Sequence, residues 1–288
     1  MAESCESSSG YRPTLWPGTI VPVPKLQPLT DVVVVMDDEY SGRIEWPCRH
    51  DPGVAPEPVD LSVDFYLQEL CDLSWGVGID ARTYLERCAD WMRTYGMLLL
   101  PHDWDRRAFH TGRYDLDVWY IQNQMNTART AALAWRIVQT GGVAAGELDR
   151  AVEENLDSLR SEPMPVGGRL PQMNPEEVES CRRDAIERFL VRPLNYALKP
   201  FSIGIGAYGD RSPCIYTTVF LQIYNHMVED ARIKQCAKGD CGKWFVRQRG
   251  RARPDYGQHR TQGVKYCSRE CAQAQSQRDL RRRRKNLA

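Results

Sequence analysis

The sequence has no long hydrophobic run. Its longest apolar stretches, Val32 to Met36 and Met97 to Leu100, fall far short of the roughly 20 residues that cross a bilayer. No membrane span and no membrane partner are expected. The segment Met1-Ala2-Glu3-Ser4-Cys5-Glu6 lacks the basic start and apolar stretch of a secretory signal, so a cytoplasmic address is expected. Disulfides are rare there, which leaves ten cysteines to be explained otherwise. No period of 20 to 50 residues recurs, which argues against a solenoid. What is present is ordinary in bulk: 288 residues, 42% hydrophobic and 26% charged, enough for one large domain or two smaller ones around a packed core.

The formal net charge is zero, but it is unevenly spread. From Arg232 onward there are 17 Lys and Arg against 4 Asp and Glu, a net of +13, so residues 1–231 carry −13. An acidic body with a basic tail points to an anionic partner, or to a contact between the two halves in which the body masks the tail.

Pattern along the chain divides it in three. Residues 1–28 hold five prolines and a serine run, and are expected to be an irregular arm. Residues 29–231 are expected to be a mainly helical acidic body, with ligand or partner sensing as its candidate task. Val32 to Val35 and Arg43 to Trp46 form a candidate strand pair. Apolar residues then recur at helical spacing. Tyr84 to Tyr95 follow Asp80 as N-cap and stop at Gly96, and Val118 to Val138 stop at Gly141-Gly142. Asn174-Pro175-Glu176-Glu177 predicts a helix start running to about Leu190, and Ser212-Pro213 predicts another before Tyr216 to Met227. Most tryptophans fall on apolar faces and are expected in the core. Residues 232–288 are expected to be a separate basic zinc finger, which makes the whole mainly α, in the α+β sense.

The finger rests on Cys236 and Cys241 with four residues between them, then 25 residues, then Cys267 and Cys271 with three residues between them. Two close pairs joined by a loop supply the four thiolates that a tetrahedral zinc ion takes, and one Zn2+ per chain is expected. Four buried free thiols are the alternative. Gly242 permits a tight knuckle, Trp244 to Val246 and Val264 to Tyr266 are candidate paired strands, and Ser268 opens a helix that puts Cys271 in its first turn. Knuckle, hairpin and helix together describe a treble clef.

The run Cys241-Gly-Lys-Trp-Phe-Val, basic residues, Lys265-Tyr-Cys-Ser-Arg-Glu-Cys and an Arg-rich end resembles the CGNR-type zinc finger and its actinobacterial relatives. The resemblance covers Ile233 to Lys285 and implies a DNA-binding transcriptional regulator. Ala272-Gln273-Ala274-Gln275 stands here where that family has Gly-Asn-Arg.

Arg247, Arg249, Arg251 and Arg253 alternate, so an extended chain presents all four guanidinium groups on one side, a ladder for phosphates. Arg269, Arg278, Arg281, Arg282 and Arg284 extend the basic surface, while Gln273 and Gln277 are candidates for reading adenine. Four thiolates and one zinc contribute −2, leaving the finger near +11. The expected function is zinc-dependent binding of DNA, or RNA, in transcriptional regulation. The alternatives are a protein-interaction module docking on an acidic partner and, third, an enzyme within the body. Catalytic signals are thin. Gly204-Ile-Gly-Ala-Tyr-Gly209 lacks the strand and helix that a dinucleotide fold requires, and His102-Asp103-Trp104-Asp105 with His110 reads as a polar loop. The remaining cysteines are expected in core packing, and no catalytic residue is assigned.

Overall fold

The structure, a computed structural model, describes residues 20–48, 56–73, 79–100, 112–140, 183, 186–201, 213–246 and 264–286. Helices dominate and strands are few and short. No helix among the described residues is long and apolar enough to cross a membrane.

Strand β1 (Val33–Met36) pairs antiparallel with β2 (Gly42–Pro47), the hairpin that the β-branched run predicts. A third strand, β3 (Arg113–Asp117), adds to the far side of β2 and places Leu116 opposite Ile44. Alternation along β2 turns Ile44 and Trp46 into the core and leaves Arg43 and Glu45 nearer solvent. Helix α2 (Ala81–Tyr95) covers this sheet, after a short α1 (Glu69–Asp72). Asp80 caps α2 by accepting from the Thr83 N–H at 2.8 Å. Gly96 ends it at φ 113°, where a side chain would also strike the Gln27 backbone. Phe65, Trp91 and Tyr95 meet edge to face beneath it, with centroids 5.0 to 5.9 Å apart.

Helix α3 (Val118–Thr140) buries Val118, Ile121, Met125, Ala128, Ala132 and Trp135 at the predicted spacing. Trp119, on its other face, is exposed, an exception to the core expectation for tryptophan. The predicted opening at Asn174 to Glu177 and the Gly141-Gly142 stop lie outside the described residues. The helix expected to end near Leu190 instead continues. A wide π-helical turn (Glu187–Val191) leads into α4 (Arg192–Ala197), which contains Pro193. Proline offers no N–H to the carbonyl four residues back, and the wider turn absorbs that mismatch where a regular helix would break.

Helix α5 (Ile215–Val228) is buried on nearly every side and packs against α3 and α4. Its N-cap is Cys214, later than the Ser212-Pro213 start expected from sequence. The Cys214 N–H donates to Thr217 Oγ1 at 3.1 Å, and the Met97 and Leu98 carbonyls accept from Ile215 and Tyr216 at 2.8 and 3.1 Å. Orphan donors of the first turn are thus met by the chain leaving α2. Cys88 and Cys214 are buried in this core, as packing predicts. His226 of α5 meets the Tyr66 hydroxyl at 2.8 Å in the interior, and Asn225 bonds both backbone groups of Val21 at 2.9 and 2.7 Å. Residues 20–28 carry no helix or extended strand, yet Leu26 is buried and bridges to Val59.

Candidate metal centre and basic helix

After α5 the chain turns at Asp230, in left-handed backbone at φ 48°, and buries Ala231 and Ile233 against the body. Strand β4 (Lys234–Gln235) then pairs with β5 (Trp244–Phe245). This corrects the sequence reading, which paired Trp244 to Val246 with Val264 to Tyr266. The segment at 264–266 is not a strand, and Lys265 contributes one carbonyl, accepting from the Ala237 N–H at 2.8 Å. A close turn carries Cys236 and Cys241 between the strands. The Cys241 N–H donates to Lys238 O and the Cys236 N–H to Lys243 O, both at 2.9 Å, and Gly242 takes φ 59°.

Alternation along β5 gives its two sides different tasks. Phe245 is fully buried with Cys236 and Cys267, whereas Trp244 and Val246 pack against the core of the body. The Arg136 guanidinium of α3 lies 4.7 Å from the Trp244 ring centroid, and Lys243 Nζ lies 3.8 Å from Asp72 Oδ2. The basic unit is therefore seated on the body through its hairpin.

Helix α6 (Arg269–Asn286) begins just after Cys267, and Ser268 Oγ accepts from the Cys271 N–H at 3.2 Å. The sequence placed Cys271 in this first turn, and the structure agrees. The four sulfurs are thereby brought together, all within 4.8 Å of one another. Cys267 lies 3.6 Å from Cys241 and from Cys271, and Cys241 lies 3.7 Å from Cys271. A disulfide needs about 2.05 Å. A tetrahedron of thiolates about 2.3 Å from a zinc ion has edges of about 3.8 Å, close to these separations. The donor set fits a thiophilic divalent cation.

The electrostatics of the cluster favour that occupant. Burial pushes the Cys241 and Cys267 thiols up, but Cys236, though burial also acts to raise it, is held below the usual thiol range by the N–H groups of Cys267 and Lys238. Cys267, desolvated and hemmed in by the other three sulfurs, is pushed well up. Without a cation four such neighbours cannot all ionise, and a divalent cation removes the conflict.

The candidate contacts for nucleic acid divide. Arg247, Arg249, Arg251 and Arg253 lie outside the described residues, as do His102, Asp103, Asp105, His110 and the Gly204 to Gly209 run. Arg269, Gln273, Gln277, Arg281, Arg282 and Arg284 are exposed on α6. Arg269, Gln273, Gln277 and Arg284 share one side of the helix, roughly opposite Cys271 at 100° per residue, whereas Arg281 and Arg282 lie nearer the cysteine side. Arg278 falls on the cysteine side and is engaged by Asp240. Its Nη1 and Nη2 donate to the two carboxylate oxygens at 3.0 and 2.7 Å, and Lys238 Nζ lies 3.4 Å from the same carboxylate. The Arg278 guanidinium holds the Asp240 carboxyl down at about 2. Sequence reading missed Asp240. Its one signal was a carboxylate inside a cysteine knuckle within an otherwise basic segment.

Comparison with protein-family models, curated proteins and solved structures returned no match.

Proposed function

We propose that the chain is a zinc-dependent nucleic-acid-binding protein whose C-terminal unit is a treble-clef finger, and that its partner is DNA in transcriptional control. The observation that carries this reading is the join between the four-sulfur cluster and α6. The same helix that supplies Cys271 runs on as an exposed stretch ending Arg281-Arg282-Arg283-Arg284-Lys285. A bound zinc would fix the start of that helix by neutralising four thiolates, and would be structural, since four protein ligands leave no open position for substrate. Cys236, Cys241, Cys267 and Cys271 would hold it. Arginine then recognises phosphate through its planar fork, and the glutamines on the far side of α6 supply the group that pairs with adenine. The likeness to CGNR-type fingers agrees with this assignment.

Salt dependence tests it. Cations that displace counterions from duplex DNA make log affinity fall linearly with log salt, at about 0.9 per neutralised phosphate. A steep slope is expected for the zinc-loaded protein. Changing Arg281 and Arg282 to Ala should lower it by about one for each phosphate that those side chains neutralise. A flat response together with recovery of a specific acidic protein would favour the interaction-module reading.

A further inference from the structure

Resting on that reading, we propose that the last two and a half turns of α6 enter a groove of duplex nucleic acid, and that Asp240 sets their direction. Cys271, Ala274 and Gln275 are half-buried, but every residue from Ser276 to Lys285 is exposed. The helix therefore runs on for about 15 Å as an exposed stretch, held among the described residues by the Arg278 to Asp240 pair.

The charges on this free stretch surround it. At 100° per residue, Arg281, Arg282 and Lys285 lie to the side of Arg278, whereas Arg283 and Arg284 lie on the opposite side. A membrane surface or a flat acidic face would meet one side and would favour an apolar stripe on the helix, but Leu280 is the one large apolar residue there. A duplex groove has phosphate walls on both sides. The major groove, about 12 Å wide, admits a helix of about 10 to 12 Å diameter. Like charges three and four residues apart also work against the helix until anions flank it.

A probe of this kind needs a fixed direction. Cys271 holds the helix at one point, and Arg278, two turns further along the same side, is held by both oxygens of Asp240. Asp240 lies in the knuckle between Cys236 and Cys241, so cluster and clamp share one short loop. Two attachments on one side define an axis. With the first alone, the helix pivots about Cys271.

The sign of one substitution separates orientation from charge. Asp240 is a carboxylate on a basic surface, so if it acts through charge alone, Asp240→Asn tightens binding to any polyanion. If it aims the helix, the same change weakens binding to duplex. The zinc-loaded full chain is titrated by fluorescence anisotropy against a duplex of about 20 base pairs and each of its separated strands at one salt concentration. Vesicles of phosphatidylglycerol are titrated in parallel by co-sedimentation. The expected result is preference for duplex over single strands and vesicles, about fivefold weaker duplex binding by Asp240→Asn, loss of the duplex preference, and recovery with Asp240→Glu. Zinc content is unchanged throughout, and Asp240→Asn combined with Arg278→Ala is no weaker than Arg278→Ala alone. Tighter or equal duplex binding by Asp240→Asn overturns the orienting role and leaves the nucleic-acid reading intact, as does loss of zinc in that variant. Equal binding of duplex and single strands, or of vesicles, overturns groove entry. Failure of the wild-type protein to bind any nucleic acid overturns the reading on which both rest.

Discussion

Phe245 and Trp244 are adjacent residues with opposite loyalties. Phe245 closes the sulfur cluster from below and Trp244 faces α3. Truncating the fully buried ring by Phe245→Ala should cost about 3 to 5 kcal/mol locally and loosen the metal, measured as faster zinc transfer to a chromogenic chelator. Trp244→Ala should leave zinc content alone and weaken the seating on the body, where the Arg136 contact contributes about 0.5 to 1 kcal/mol beyond packing. At the cluster itself, changing Cys267 and Cys271 together to Ser removes two of four ligands. Zinc by elemental analysis should fall from one per chain to none, and full retention would refute the ligand set. These four residues were legible in the sequence because ligand spacing is local. Asp240 and Arg278 were not linked, because 37 residues intervene and neither position carries a spacing signature.

Helices α2 and α3 were legible because a repeat of 3.6 survives in any window that faces one core, whereas α5, buried on nearly every side, was legible from the Ser212-Pro213 opening ahead of its apolar run. The β1 and β2 hairpin was legible from its β-branched run. Strand β3 was not: Arg113-Tyr-Asp-Leu-Asp117 buries Leu116 alone, and its pairing is fixed by Ile44, far away in the chain. Strand β4 is only Lys234-Gln235, with no β preference, and it wins the pairing with β5 because it flanks the same knuckle. The two attachments of α6 should also separate on acidification. Metal binding needs deprotonated thiols, so zinc is lost as pH falls through the mildly acidic range. The Arg278 guanidinium depresses the Asp240 carboxyl to about 2, so protonation of Asp240 itself leaves the clamp intact above the ordinary carboxylate value and breaks it only as pH falls through about 2. Zinc release monitored by indicator dye should therefore precede protonation of Asp240 observed by carboxyl NMR. The reverse order would show that the carboxylate is not held by Arg278 in solution.

At the scale of the molecule, opposite net charges in residues 1–231 and 232–288 suggest a finger drawn to the body by electrostatics. The seating itself is of another kind. Ala231, Ile233 and Val246 are buried against the core of the body and Trp244 stacks under Arg136, with the Lys243 to Asp72 pair at the rim. Apolar burial is insensitive to screening, and an exposed ion pair at 3.8 Å adds little. Seating and nucleic-acid binding should thus respond differently to salt. Raising it from about 0.05 to 1 M should collapse affinity for DNA, while Trp244 emission, obtained as the difference between wild type and Trp244→Phe, stays constant. Masking of the finger by the acidic body predicts the opposite for the seating, a shift in that emission as the charges are screened. Chelation should move it at any salt. Phe245 and Trp244 share one strand, so loss of zinc disorders the side of β5 that faces the cluster and with it the side that faces α3. The helical signal of the body should persist, because α3 and α5 pack on each other without the finger. An unchanged Trp244 signal after complete zinc removal would mean that hairpin and metal fold independently.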